Sequence, residues 1–451
     1  MQLPALEELQ ALDAAHHFHP FTHHREMHAA GTHLILSGEG CWLIGEDGRR
    51  LFDGLAGLWC VNVGYGRREI ADAVHRQMLT LPYYCSFFNT TTEPAIRLAK
   101  RLADLAPARL NHTLFCNSGS EANESALKVI RAWNRLKGRS AKRKILTRQF
   151  AYHGVTLAAT SMTGLPACTD PFDLPLPDFL HVPAPHPYTA NSPLDPQAYG
   201  EWCLAETRRI IEREGPETIA AFFAEPVQGA GGVIVPPPGY LVGLRNLCRE
   251  HDILFVADEV ITAFGRLGDW FASNLWELDP DLLCIAKGVT SGYLPLGGTL
   301  ISDEIANDLM DGGPFAHGFT YSGHPTACAA ALANLDLLES EQLIPRTRDQ
   351  TGPAFQRHLQ ALADHPAVGE VRGTGLIGAL ELVPPGGRTA LKPGALLGVR
   401  AAGLIRAEGA IVRGIRDLIA MAPPLTATTE ELDFLFACVR KGLDALHAAG
   451  S

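Results

Sequence analysis

The sequence contains no Cys-x-x-Cys pair, and its ten cysteines lie scattered from Cys41 to Cys438 in a chain of 451 residues. Cysteines so spaced read as small buried apolar residues of a reducing compartment, not as a disulfide framework. A basic block is also missing: 38 Lys and Arg against 49 Asp and Glu leave a net charge of −11. Nucleic acid needs clustered positive charge, so that partner class is excluded. The most tempting uncharged stretch, Pro226 to Leu244, holds four prolines and five glycines, which a membrane-spanning helix does not tolerate. The N-terminus carries Glu7, Glu8 and Asp13 without a basic head, unlike a secretory leader. Together these absences predict a soluble, cytoplasmic protein with neither nucleic acid nor membrane as partner.

What is present is an ordinary globular composition, 46% hydrophobic and 19% charged. Leu3, Leu6, Leu9 and Leu12 predict a short amphipathic helix ending before Pro20. Alternation from Trp42 to Asp53 around Glu46-Asp47-Gly48 predicts a hairpin. Short apolar runs then alternate with helical periods: His112–Cys116, Lys144–Phe150, Ala220–Ala224, Ile253–Ala257 and Leu282–Ala286. That rhythm predicts an α/β fold around a parallel or mixed sheet, with ligands beyond the carboxyl ends of its strands. Nine prolines between Pro166 and Pro196 predict an ordered surface excursion, after which the strands resume. From about Ala330 a separate lobe is expected, with a strand pair around Val371–Leu382. Its last helix is opened by Thr428 and Glu431 and buries Leu432, Leu435, Val439, Leu443 and Leu446.

Three patterns are set aside. Gly373-Thr-Gly375-Leu-Ile-Gly378 fits the dinucleotide expression, but the residues after it continue as a strand instead of opening a helix. Leu254–Glu259 resembles a Walker B strand, yet no Gly-Lys-Ser/Thr phosphate loop exists. His16, His17, His19, His23 and His24 lack carboxylates or cysteines at ligand spacing, so no metal site is expected.

Four strand ends carry the chemistry. Asn117-Ser118-Gly119-Ser120 leads into a helix whose inner face is Ala122, Ala126, Ile130 and Trp133. Such a turn presents N–H groups and hydroxyls to an anion, although an ordinary capped turn would look the same. Tyr152-His153-Gly154 follows the strand ending at Phe150, where an aromatic can stack on a flat ring or simply pack. Asp258 ends an apolar strand, a position costly for a carboxylate without a cation or donor. Lys287, one of only eight lysines, ends another. A lysine with its ammonium disfavoured attacks carbonyls, and Gly288 beside it admits a bulky group close to the backbone. Anion cradle, stacking aromatic, carboxylate and desolvated lysine together fit pyridoxal 5′-phosphate. The 29 residues from Asp258 to Lys287 suit one strand end, a crossover and the neighbouring strand end.

These residues stand in motifs that resemble the class III, fold type I, pyridoxal-phosphate aminotransferases. The motifs are NSGSEAN from Asn117, AYHG from Ala151, AEPVQGAGG from Ala224, ADEV from Ala257, AKG from Ala286 and HGFTYSGHP from His317. GLAGLWCVNVGYGR from Gly54 is similar to the ω-amine:pyruvate branch. The resemblance implies a large cofactor-binding domain over 62–329 with a mixed, mostly parallel sheet. It also implies a small α+β domain from 1–61 and 330–451. In its terms Lys287 is the Schiff-base lysine and proton shuttle. Ser118, Gly119 and Ser120 bind phosphate, Tyr152 and Val260 sandwich the ring, and Asp258 pairs with the pyridine nitrogen. Thr320 reaches the phosphate of the other subunit, which implies a homodimer. Trp59, Phe21 and the partner's Phe87 line the substrate pocket. Arg413 is the mobile arginine for a substrate carboxylate, and Glu225 holds it when that group is absent. Spacing alone would allow Arg413 or Arg416, and Arg416 stands where the branch commonly has glycine. The implied reaction passes an amino group from a terminal amine (a diamine, an ω-amino acid or an arylalkylamine) to pyruvate. An aminomutase or a dialkylglycine decarboxylase is the alternative on the same fold.

Overall fold

The computed structural model describes residues 6–450. Its centre is a seven-stranded sheet, in the order His112–Cys116, Gly297–Ile301, Leu282–Ile285, Leu254–Asp258, Ile219–Ala224, Lys144–Arg148 and Phe179–Val182. Only Gly297–Ile301 runs against its neighbours; the remaining pairings are parallel. The sequence explains this middle position. All six residues of Ile219–Ala224 and all four of Leu282–Ile285 are buried, as strands covered by helices on both faces must be. Burial of each large apolar side chain there contributes about 1.5–3 kcal/mol.

The helix Gly119–Leu136 lies on the sheet through Ala122, Ala126, Ile130 and Trp133, the face expected from the spacing, and Gly138 at φ +74° ends it. The proline-rich stretch is ordered, but strand pairing does not wait until after it. Phe179–Val182 lies inside it as the edge strand beside Lys144–Arg148. Proline is confined to sheet edges because it lacks the ladder N–H, which hides such a strand from pattern reading.

Two smaller four-stranded sheets flank the centre. One joins Ile35–Glu39, Trp42–Gly45 and Arg50–Asp53 to Ala410–Ile411, so both ends of the chain share it. The expected hairpin is there, turning at Gly48. The other orders Val368–Thr374, Ile377–Leu382, Leu418–Met421 and Arg413–Ile415. The dinucleotide-like glycines lie in its hairpin, not before a helix. The last helix, Thr429–Ala448, starts with the full Thr428/Glu431 capping box, and Glu431 also receives Trp42 Nε1 at 2.7 Å. Helix Pro325–Ser340 runs across the expected boundary at 329/330.

At the N-terminus, Leu6–His16 is helical as expected, yet none of its residues is buried in this chain; Leu3 lies outside the described residues. The histidines after it do have a carboxylate nearby, contrary to expectation. Asp13 Oδ1 lies 2.8 Å from His19 Nε2 and 3.1 Å from His17 Nδ1, and Thr32 donates to Asp13 at 2.6 Å. The missed signal was the i,i+4 spacing of Asp13 and His17, one helical turn apart.

Candidate active site

The carboxyl ends of the central strands open into a cavity of about 360 Å³. Ser118, Gly119, Ser120, Tyr152, Glu225, Asp258, Val260 and Lys287 all line it. Strand pairing explains why two of these meet. Asp258 registers with Cys284 on the adjacent parallel strand, three residues before Lys287.

Asp258 is 4% exposed and accepts three hydrogen bonds. These come from His153 Nδ1 at 2.7 Å, Asn123 Nδ2 at 2.8 Å and the Val260 amide at 3.1 Å. Three donors converging on one carboxylate fix its orientation at the edge of the cavity. His153 Nε2 lies 3.0 Å from Thr147 Oγ1, which fixes the ring. Sequence reasoning missed both His153 and Asn123. The available signal was Asn123 itself, a buried polar residue among the alanines of an apolar helix face.

Lys287 follows its strand with φ +45°, a left-handed strain of order 1–3 kcal/mol that persists only where surroundings enforce it. Asn334 enforces it, donating from Nδ2 to the carbonyls of Gly288 at 2.9 Å and Val289 at 3.0 Å. The close approach expected at Gly288 is made by Asn62, whose Nδ2 would lie 2.6 Å from an added Cβ. Burial pushes the Lys287 ammonium below the ordinary lysine value, against the opposing pull of Cys60, Asp258 and Glu225.

The N-terminus of Gly119–Leu136 forms one wall. Ser118 caps it by accepting from the Glu121 amide, and Ser120 Oγ accepts from the Val155 amide at 3.0 Å. An 18-residue helix ending here directs free N–H groups and a positive dipole end into the cavity. Val260 covers the bare face of Gly119, its Cγ2 at 3.0 Å from where a Cβ would stand.

Glu225 is buried and accepts from the amides of Tyr152 and Gly229, each at 3.0 Å; burial raises its pKa. It makes no bond to Arg413. That arginine instead lies over Trp59, its Cζ 5.3 Å from the ring centroid, and its buried Nε has no partner. Trp59 is also 6.0 Å from Lys287 Nζ. Arg416 is exposed at φ +50° and donates to the Gly231 carbonyl at 3.4 Å. A positive φ explains why glycine suits that position. The geometry therefore separates the two arginines: Arg413 faces the Trp59 side of the site and Arg416 does not.

Trp59 and Arg413 adjoin this cavity without lining it, and Phe21, Thr320 and Phe87 are absent from its lining as well. Phe21 is 74% exposed. Thr320 is exposed, its carbonyl accepting from Tyr83 Oη. Phe87 lines a separate groove of about 990 Å³ together with residues 314–318.

The cavity's donors suit pyridoxal 5′-phosphate. A helix N-terminus meets an anion, an anchored carboxylate meets a ring nitrogen, and a desolvated amine meets an aldehyde. Asn123 Oδ1, buried without a protein partner, leaves polar capacity unused.

Comparison with known proteins agrees. Residues 25–443 match the family described as aminotransferase class-III. The putrescine–pyruvate aminotransferase of Pseudomonas aeruginosa is 43% identical over 447 residues, 98% of this chain and 97% of the relative. The diaminobutyrate–2-oxoglutarate transaminase of Halomonas elongata is 40% identical over 451 residues, 96% of each. Among solved structures, an (S)-enantioselective ω-transaminase of Thermomicrobium roseum gives a TM-score of 0.95 at 43% identity, covering 99% of this chain and 100% of that one. The Pseudomonas jessenii ω-transaminase in complex with PMP gives 0.94 at 39% identity, covering 98% and 99%.

Proposed function

Because this chain belongs to the class III aminotransferases, which use pyridoxal 5′-phosphate, we propose that it moves the amino group of a terminal amine to pyruvate. The products are alanine and an aldehyde or ketone. Placement of Lys287 and the clasped Asp258 on one cavity carries the reading.

In this reading the phosphate sits on Ser118, Gly119 and Ser120, with Thr320 supplied by a second copy. Tyr152 and Val260 hold the two faces of the ring. When bound, the cofactor supplies the carbonyl that takes up the amino group and a ring that withdraws electrons from the reacting carbon. Asp258 would pair with the ring nitrogen, and the hydrogen bonds from His153 and Asn123 keep that carboxylate aimed. Lys287 Nζ, once free, removes the proton from the donor's Cα and later returns it, a task suited to an amine whose basicity burial has lowered. Trp59, with Phe21 and the partner's Phe87, forms an apolar wall for the body of the amine. Arg413 binds the carboxylate of pyruvate or of an ω-amino acid, and turns towards Glu225 when the substrate has none.

The shared sites require a homodimer. The 990 Å³ groove at Phe87 and Phe88 and the exposure of Phe21, Phe88 and Tyr321 support that assembly. In this reading the smaller lobe is drawn from 1–61 and 330–451, bringing Trp59 and Arg413, and the larger from 62–329, bringing Lys287 and Asp258, with helix Pro325–Ser340 continuous across their boundary. Ten cysteines without a disulfide suit the reducing cytoplasm. No helix among the described residues is long and apolar enough to cross a membrane.

A panel of diamines, ω-amino acids and arylalkylamines tests the reading. Donors should bleach the cofactor band, and pyruvate should then restore it with one alanine per turnover. Carbon dioxide released together with the alanine would instead identify a decarboxylating enzyme, and alanine without carbon dioxide the transaminase. Restoration by 2-oxoglutarate but not pyruvate would overturn the acceptor.

A further inference from the structure

The turn that delivers Trp59 is held by a single buried carboxylate. Ala56, Gly57 and Trp59 all have left-handed φ, at +49°, +68° and +58°, and the two with side chains are strained there. Asp53, 1% exposed at the end of its strand, spans this segment. Its Oδ1 accepts from the Leu55 amide at 3.0 Å. Its Oδ2 accepts from the Gly57 amide at 2.5 Å and from Tyr65 Oη at 2.6 Å. On the other side Gly54 donates to the Ile411 carbonyl at 2.9 Å and accepts from the Ala422 amide at 2.7 Å. The turn is therefore tied to the strands around Arg413. Trp59 itself is 3% exposed, and its indole N–H finds no acceptor. With no hydrogen bond of its own, the ring takes its orientation from the backbone turn together with the apolar side chains packed on it and Arg413 over its face.

We propose that Asp53 is a positioning residue that fixes the Trp59 ring and so sets how bulky an amine the site accepts. The proposal rests on the reading of Trp59 as a wall of the amine pocket. Only an acceptor-only group can serve three converging donors. Asparagine would turn an NH₂ group onto one of them and release the strained turn.

The test compares Asp53→Asn and Tyr65→Phe, each alone and on a Trp59→Ala background, with 1-phenylpropylamine and 2-aminobutane as bulky and small donors. Asp53→Asn should change the bulky-to-small ratio of kcat/KM about tenfold, the scale of a reshaped apolar pocket, through KM more than kcat. On the Trp59→Ala background that ratio should stop responding. In the apoprotein, amide exchange over 54–60 should accelerate while the central strands keep their protection. Tyr65→Phe removes one donor and should act in the same direction more weakly, which keeps the idea testable if Asp53→Asn folds poorly. An unchanged ratio overturns the proposal, as does an equal change with and without Trp59. If neither amine reacts with the parent enzyme, the arylalkylamine part of the functional reading fails instead, and the exchange experiment still decides whether Asp53 holds the turn.

Discussion

Replacement of Asp258 by asparagine probes the site most directly, because the two side chains match in shape and differ in charge. The carboxylate is buried under three donors. An asparagine oxygen can serve one or two of them, while its NH₂ group faces an N–H that previously had an acceptor. That mismatch should destabilise the fold by about 1–3 kcal/mol, the usual cost of an unsatisfied buried group. The catalytic loss should be larger. Removing one partner of a buried ion pair costs about 3–5 kcal/mol, and at about 1.4 kcal/mol per tenfold this means roughly 10²–10⁴ in rate. Stopped-flow bleaching by an amine donor measures the half-reaction, and absorbance titration shows whether cofactor is still bound. The expected variant is loaded and slow. A loaded variant with an undiminished rate would refute the role of Asp258 in holding charge on the ring. Recovery of full rate with excess cofactor would reduce that role to retention.

Arg413→Ala should lower kcat/KM for pyruvate and β-alanine by roughly 10–100-fold, the worth of a charge-assisted hydrogen bond, and leave a plain alkylamine nearly unaffected. Equal loss for all three would refute it. Lys287 gives a stability signature in the apoprotein. Burial holds its pKa below the ordinary 10.5, so between the folded and unfolded values the unfolded chain binds the extra proton. Stability must then rise with pH across that interval. Urea midpoints measured from neutral pH towards 10.5 should show the rise in the parent and not in Lys287→Met; parallel curves would show that the amine is not desolvated.

The residues most legible in the sequence were those where a buried strand ends in a polar side chain. Asp258 and Lys287 stand out because nothing else in an apolar run needs charge. The helix at Ser118 was legible through its cap and its alanine face. Phe179–Val182 was not, since an edge strand among prolines has neither the length nor the alternation of a central one. The Trp59 turn was illegible for a different reason: Ala56 and Trp59 adopt left-handed conformations without being the residue types that advertise them. Their turn depends on Asp53, whose bonds to Leu55, Gly57 and Tyr65 leave no periodic trace. His153 and Asn123 are hidden beside the more conspicuous Tyr152 and Ser118–Ser120 in the same motifs. Phe21, Phe87 and Thr320 rest on the family resemblance, as one chain's fold brings none of them to the cavity.

The sheet shared by the two ends of the chain has a consequence for biosynthesis. Arg49 reaches the Ala407 carbonyl 358 residues later, and Phe52 and Asp53 pair with Ala410 and Ile411. At about 5–20 residues per second, the ribosome delivers those partners roughly 20–70 s after the first strands emerge. For that interval the nascent hairpin has an unclaimed edge, and the turn behind it has nothing to lean on. The larger lobe can collapse around its own sheet while translation continues, but the wall of the amine pocket must await the final forty or so residues. A stalled or truncated product would therefore be a folded shell with an exposed strand, prone to pair with its neighbours.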